Sequence, residues 1–136
     1  RLNIGDGFSC RRNVIINLSD NASVVIGNDV FINDNTIINS RNKITIGDRV
    51  LIGQSVLIYD HDHDYRDVNL RDKYVVGETS IGNDSWICSN SVILRGRKVG
   101  SRSVVAAGSI VTKDIPDGSI FRMCIKNEIN QIKKTR

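Results

Sequence analysis

An aliphatic residue returns at every sixth position over most of this 136-residue chain. The positions form five groups of three, and fourteen of the fifteen carry Ile or Val. They are Ile4, Cys10, Ile16; Ile26, Ile32, Ile38; Ile46, Ile52, Ile58; Ile81, Ile87, Ile93; and Val99, Val105, Val111. A period of six is neither the period of an α-helix nor the alternation of a hairpin, so it indicates a structural repeat.

The residues between these positions favour short strands joined by tight corners. Small or apolar residues follow four positions later in most repeats, although Asp20, Asn42, Asp62 and Arg97 are exceptions. Gly, Asn and Asp stand at the ends of the β-branched runs, where they tolerate the left-handed backbone of a corner. Three hexapeptides then close one triangular turn of eighteen residues, and five turns run from Ile4 to Pro116. The repeat therefore predicts an all-β coil with an aliphatic core. A β-sandwich of short strands is the alternative, but such a fold has no reason to keep a six-residue register.

The repeat is interrupted at length only once. A loop of roughly residues 64–80 follows the third turn, and the repeat ends in a turn signal after Val111. The sequence thus predicts one β-helix domain over residues 1–118 with an inserted loop, and a tail over 119–136. Ile125, Ile129 and Ile132 in that tail are spaced as on a short amphipathic helix, which would cap the open end of the coil.

Composition narrows the class of protein. No apolar run is long enough to span a bilayer, and the three cysteines lack metal or redox spacing. Cys10 occupies a core position, where it would act as a small hydrophobe, and the odd cysteine count favours a reduced, cytoplasmic protein. The net charge of +4 lies largely in the tail and has no interleaved aromatics. We therefore expect no nucleic-acid partner, and a basic surface that attracts an anionic cofactor.

The two histidines of the chain, His61 and His63, stand directly before the interruption. Neutral imidazole has a pKa suited to a general base, and side chains two apart on a strand face the same side. A His-x-His metal pair with Asp60, Asp62 or Asp64 is an alternative. No third and fourth ligand spacing is recognisable, so no metal is predicted.

The segments IGNDSWICSNSVIL and VGSRSVVAAGSIVTKDIP resemble the hexapeptide-repeat acyltransferases, within the group of galactoside, maltose and polysaccharide O-acetyltransferases. The resemblance covers nearly the whole chain. It implies a left-handed parallel β-helix, a homotrimer, and acetyl-coenzyme A lying between the coils of two subunits. Arg97 departs from the family pattern, because relatives usually have an apolar residue at this place.

The resemblance also implies roles for particular residues. His63 matches the catalytic histidine, and Asn33 matches a position that holds the acceptor or the reaction oxyanion, with a corner role as the alternative. Trp86 matches a position on the ligand channel, with subunit packing as the alternative. No family position is matched by His61, which would assist substrate binding or simply be solvated. Ala106, Ala107, Gly108, Thr112 and Lys113 match the cofactor-binding segment.

These inferences lead to an expected function. We expect an acetyl-coenzyme A-dependent O-acetyltransferase acting on a carbohydrate acceptor in surface polysaccharide synthesis. The alternatives are an N-acyltransferase acting on an amino sugar and a non-catalytic β-helix used as a binding module. The loop over residues 64–80 would select the acceptor or serve as a trimer-packing arm.

Overall fold

The computed structural model describes residues 1–133, and the chain coils there into a three-sided parallel β-helix. Within those residues the strands are β1 Leu2–Ile4, β2 Ser9–Cys10, β3 Ile15–Leu18, β4 Ser23–Ile26, β5 Phe31–Ile32, β6 Ile37–Ser40, β7 Lys43–Ile46, β8 Leu51–Ile52, β9 Leu57–Tyr59, β10 His61–His63, β11 Tyr74–Val76, β12 Glu78–Ile81, β13 Trp86–Ile87, β14 Val92–Ile93, β15 Lys98–Val99, β16 Val104–Val105, β17 Ile110–Val111 and β18 Ile120–Phe121.

Each turn of the coil contributes one strand to each of three parallel sheets. Sheet A has the order β1-β4-β7-β12-β15, and sheet C has the order β17-β14-β9-β6-β3. Sheet B has the order β18-β16-β13-β8-β5-β2. The predicted all-β coil of about five triangular turns is confirmed. The chain also begins a sixth turn, because β18 pairs with β16 and Ile115 forms a bridge to Val99.

The repeat positions form the core. From the second turn onward the sixth-position residues, such as Ile32, Ile58 and Val105, are at most 2% exposed. Most residues four positions later are buried as well, including Val50 and Ser103, whereas Asn42, Asp62 and Arg97 are not. Strand residues alternate between the two faces of a sheet, so stacked turns place these side chains over one another inside the prism.

The first turn corrects one prediction about this core. Cys10, expected in the interior, is exposed, and Ile4 is 43% exposed. Both occupy inward positions of the repeat, but the second turn covers them on one side only.

The polar residues and glycines between the strands lie at the corners of the coil, where the backbone turns sharply. Eight non-glycine residues there have positive φ, among them Asn35 and Asn90, and asparagine is one of the residues that enters this region most readily. At Gly47 the reason for glycine is space, because an added Cβ would overlap the Asn83 side chain and lie 2.8 Å from its backbone nitrogen. Close stacking of successive turns thus requires glycine at this corner.

The inserted segment is a hairpin rather than a loop over 64–80. β10 and β11 pair antiparallel, with His63 opposite Tyr74, and the connection covers residues 64–73. Residues 78–81 belong to the fourth turn, since β12 pairs with β7 and β15.

The amphipathic helix predicted from Met123 to Arg136 does not form over the described part of that segment, which ends at residue 133. Residues 134–136 lie outside the described chain. Ile125, Ile129 and Ile132 are 69%, 97% and 93% exposed. A short helix is marginal in water unless its apolar side packs against other residues, and these side chains are largely exposed.

The three outer faces of the prism differ in polarity. The outward register of sheet B is Ser9 on the first turn and then Phe31, Leu51, Trp86, Val104 and Ile120. The outward register of sheet C is Ile15, Ile37, Leu57, Val92 and Ile110. The outward register of sheet A is instead Asn3, Val25, Thr45, Ser80 and Lys98. Two adjoining faces are therefore apolar and the third is mostly polar.

Candidate active site

The candidate site lies at the corner between sheets C and A. We call this the hairpin corner; it comprises residues 19–22, 41–42, 60–77, 94–97 and 112–114. The hairpin leaves the prism here after β9, which places both histidines beside the outer face of sheet C.

His63 is held by the hairpin that carries it. Its Nδ1–H donates to the carbonyl oxygen of Leu70 at 2.8 Å. A carbonyl oxygen only accepts, so Nδ1 must carry the proton and the neutral ring has its lone pair on Nε2. The side chain is exposed, and Nε2 has no hydrogen-bond partner within residues 1–133. This is the tautomer that a general base requires.

Aromatic packing orients the same imidazole. The Tyr74 ring lies against His63 with 4.7 Å between ring centroids and an interplanar angle of 35°. The Arg41 guanidinium lies 3.6 Å from the Tyr74 ring centroid, and Arg41 Nη2 donates to Tyr74 Oη at 3.0 Å. Arg41 belongs to the second turn, so this cation–π contact ties the hairpin to the coil.

Asp60 is a buried carboxylate behind the hairpin. Its side chain is 0% exposed. It accepts hydrogen bonds from Ser40 Oγ at 2.6 Å, from the backbone nitrogens of Arg41 and Asn42 at 2.8 and 2.9 Å, and from His61 at 2.9 Å. Burial alone would raise the pKa of Asp60, but these hydrogen bonds outweigh it and lower that pKa below its ordinary value. Asp60 is therefore ionised at neutral pH.

His61 is fixed by that carboxylate. Because ionised Asp60 can only accept, His61 Nδ1 is the donor in their 2.9 Å hydrogen bond. The side chain is 10% exposed, and its ring meets Tyr59 and Tyr74 edge to face at centroid distances of 6.1 and 5.7 Å. Both histidine rings thus contact Tyr74, and the prediction that they face the same side of the strand is confirmed.

Two cavities flank His63. The first, which we call the Tyr59 cavity, has a volume of about 370 Å³ and is lined by Asn39, Tyr59, His61, Val92 and Leu94 together with Asp62 and His63. The second, the Arg66 cavity, measures about 390 Å³ and is lined by Asp64, Tyr65, Arg66, Val75 and Arg95 together with Asp62 and His63. The base candidate therefore adjoins an apolar-walled cavity and a charged one.

Ion pairs hold the charged side chains around the hairpin. Arg95 Nε donates to Asp62 Oδ2 at 2.7 Å and so links the hairpin to the fourth turn. Arg66 Nε donates to Asp64 Oδ1 at 2.9 Å. The unusual Arg97 lies 3.8 Å from Asp114 and donates to the carbonyl oxygen of Thr112 at 3.3 Å, so it bridges two turns at the hairpin corner.

The other predicted site residues lie apart from the histidines within one chain. Asn33 and the Ala106–Gly108 segment stand at the corner between sheets B and C, and Trp86 lies on sheet B with 48% exposure. Thr112 and Lys113 share the hairpin corner with His63 but stand two turns further along the coil. One chain thus brings together His61 and His63, and leaves Asn33, Trp86 and Ala106–Gly108 at another corner or face.

Sequence reasoning missed the groups that orient the histidines. Asp60 directly precedes His61, and that adjacency was a local signal for it. Arg41, Tyr74 and the Leu70 carbonyl have no such signal, because the turn stacking and the hairpin register bring them to the site.

Within residues 1–133 no cluster of three or more His, Cys, Asp or Glu side chains is arranged to hold a metal ion. The same residues include no helix of the length and apolar character that a membrane crossing demands.

Comparison with known proteins supports the repeat assignment. The family described as bacterial transferase hexapeptide (six repeats) matches residues 78–113, which form the fourth and fifth turns. The galactoside O-acetyltransferase of Escherichia coli (strain K12) is 60% identical over 37 residues, covering 27% of this chain and 18% of that protein.

Solved structures extend the similarity to most of the coil. A hexapeptide-repeat acetyltransferase of Vibrio cholerae O1 biovar eltor, solved with acetyl-coenzyme A, is 34% identical with a TM-score of 0.75, covering 87% of this chain and 64% of that one. A galactoside acetyltransferase solved with coenzyme A is 32% identical with a TM-score of 0.69, covering 85% and 60%. The chain spans less than two thirds of each of these relatives.

The six-residue repeat, the three-sided coil and the similarity to these relatives all indicate the same class of protein. The chain carries the bacterial transferase hexapeptide repeat over residues 78–113, and its coil is similar to those of hexapeptide-repeat acetyltransferases.

Proposed function

We propose that this chain is an acetyl-coenzyme A-dependent O-acetyltransferase whose acceptor is a sugar hydroxyl, with His63 as the general base. The observation that carries the proposal is the 2.8 Å hydrogen bond from His63 Nδ1 to the Leu70 carbonyl. In the neutral ring this bond leaves Nε2 as the acceptor, beside two cavities large enough for substrate groups. The relatives solved with acetyl-coenzyme A and coenzyme A support the donor, and the galactoside O-acetyltransferase supports the acceptor class.

The reaction follows from this arrangement. His63 Nε2 takes the proton of the acceptor hydroxyl as its oxygen attacks the thioester carbonyl carbon. The tetrahedral intermediate then collapses, the carbon–sulfur bond breaks, and the imidazolium returns the proton to the coenzyme A sulfur. The products are the acetyl ester and the free thiol, and His63 is regenerated. Such a base contributes roughly 10²–10⁴-fold to the rate.

We further propose that the working form is a homotrimer. The apolar outer faces of sheets B and C support this, because closed three-fold assembly needs two different surfaces on each copy. Packing sheet B of one copy near sheet C of the next would bring Asn33 and Trp86 of one chain toward His63 of its neighbour. Asn33 would then hold the acceptor or the oxyanion, and Trp86 would line the channel.

Within this trimer the donor lies along the coil. Ala106, Ala107 and Gly108 offer small side chains and accessible backbone to the pantetheine arm, and Thr112 and Lys113 meet the nucleotide phosphates. The hairpin connection over 64–73 selects the acceptor. We place the reaction in the cytoplasm, in line with the three free cysteines, and assign it to surface polysaccharide synthesis.

The test is thiol release from acetyl-coenzyme A across methyl glycosides, amino sugars and polysaccharide fragments. We expect acceptor-dependent release that falls by roughly 10²–10⁴-fold in His63→Ala while coenzyme A affinity is retained. Asp6→Ala, an exposed change at another corner of the first turn, is the control and should behave as wild type.

Two other results would change the assignment. Full activity in His63→Ala with amino sugars as preferred acceptors would favour N-acylation, since a neutral amine needs less base assistance. Failure to bind coenzyme A would favour a non-catalytic β-helix binding module.

A further inference from the structure

The proposed chemistry uses one imidazole, but the Tyr59 cavity is lined by two. His61 and His63 share the property that Nδ1 is committed as a donor, to Asp60 and to the Leu70 carbonyl respectively. In the neutral ring each Nε2 is consequently an acceptor. Neither Nε2 has a hydrogen-bond partner within residues 1–133.

His61 is the more rigidly placed of the two. Its side chain is 10% exposed, against an exposed His63, and it is packed between Tyr59 and Tyr74. Asp60, which anchors it, is itself fixed by three other hydrogen bonds to the second turn. Among the described residues no buried side-chain nitrogen or oxygen lacks a partner, so His61 Nε2 is open to the Tyr59 cavity, where a donor group of a ligand can reach it.

The spacing of the two rings restricts what that donor can be. The Cα atoms of residues two apart on a strand are separated by roughly 7 Å. Each Nε2 can accept a hydrogen bond from a hydroxyl oxygen at about 2.8 Å. Two hydroxyls carried one or two carbons apart on a single ring can therefore contact both nitrogens at once.

We propose that Asp60 and His61 form a second hydroxyl subsite, and that the acceptor is a polyol that presents a second hydroxyl one or two carbons from the one acetylated. This deepens the proposed function and rests on it. The second hydroxyl donates to His61 Nε2 and aligns the reacting hydroxyl with His63. Asp60 is a positioning residue, because it acts only through His61.

The experiment compares hydroxyl deletion in the acceptor with substitution of His61. The probes are methyl galacto-, gluco- and mannopyranoside, each with analogues lacking one ring hydroxyl, and the readout is kcat/KM for thiol release. In the wild type, one deletion next to the acetylated position should lower kcat/KM by about 3- to 10-fold, the value of one hydrogen bond.

Two variants separate binding from a purely structural role of His61. The amide nitrogen of His61→Asn can still donate to Asp60, but the variant lacks Nε2. In His61→Asn the kcat/KM of the parent sugar should then be about equal to that of the analogue lacking the neighbouring hydroxyl, so the ratio of the two should be about one. The melting temperature of this variant should match that of the wild type. His61→Gln keeps a polar group near the Nε2 position and should preserve part of the ratio.

An unchanged ratio in His61→Asn would overturn the subsite while leaving the transferase intact. His61→Asn could keep both the wild-type stability and the wild-type kcat/KM ratio, while His61→Gln loses stability. That result would show that His61 serves only to donate a hydrogen bond to Asp60. Absence of thiol release with every parent sugar would count against the proposed function itself.

Discussion

Asp60 shows how a single buried carboxylate organises this corner of the molecule. It receives four hydrogen bonds, three of them from the Ser40–Asn42 segment of the preceding turn and one from the hairpin. Its lowered pKa means that the folded state favours the ionised form. The same residue therefore stabilises the turn and orients His61.

Asp60→Asn should destabilise the fold by about 1–3 kcal/mol at neutral pH, because an amide group faces the backbone donors that the carboxylate satisfied. The folded pKa lies below the unfolded value of 3.8. The contribution is thus fully present above the unfolded pKa and is lost as the pH falls through the folded one.

Urea unfolding of wild type and variant at pH 7 and at progressively lower pH should show a difference in unfolding free energy that shrinks below about pH 4. Asp72→Asn, an exposed change in the same hairpin, serves as the control. A difference that stays constant with pH would show that Asp60 acts through shape rather than charge.

At the scale of elements, the hairpin β10–β11 holds the proposed general base in place. Its connection supplies the Leu70 carbonyl, its second strand supplies Tyr74, and Arg41 and Arg95 fasten it to two different turns. The coil provides the support, and the hairpin determines where the imidazole of His63 points.

Tyr74→Ala should lower kcat by about 10- to 100-fold, since small misplacement of a base is costly. Coenzyme A affinity should be unchanged, because the ring of Tyr74 packs against His61, His63 and Arg41, none of which is proposed to bind the donor. Tyr74→Phe is the matched control: it keeps the ring against His63 and loses only the hydrogen bond from Arg41, so it should retain most of the activity. Equal loss in both variants would place the hydroxyl group, rather than the ring, in the mechanism.

At the scale of the whole molecule, the unequal polarity of the three outer faces is the notable property. Leu51 on sheet B and Ile110 on sheet C are 43% and 41% exposed in one chain, and they lie in continuous apolar registers. Burying such registers between copies is favourable by about 25 cal/mol per Å² of apolar surface.

Leu51→Glu or Ile110→Glu should convert the proposed trimer to smaller species, because each would place a charge in its apolar interface. Ser80→Glu makes the same change on the polar face of sheet A and should leave assembly unaltered. Light scattering coupled to size exclusion measures this directly. A wild-type mass of one chain, or a trimer that survives both changes, would contradict the proposed assembly.

Much of the fold was predictable from particular residues. The spacing from Ile26 to Val111 determines the register, because one aliphatic side chain per hexapeptide must lie inside the prism. His63 was identifiable because it stands where the repeat breaks. The tail was mispredicted: the spacing of Ile125, Ile129 and Ile132 suits a helix, but these side chains stay largely exposed, so little apolar burial would stabilise it.

The sequence by itself thus determined the coil, its core and the location of the candidate base, because these depend on a local repeat that stacks on itself. Only the tertiary structure decided how that base is oriented. The Leu70 carbonyl, the Tyr74 ring and the Arg41 guanidinium reach His63 through hairpin register and turn stacking. Contacts between residues so far apart in the chain leave no periodic trace in it, so they become visible only when the turns are placed together.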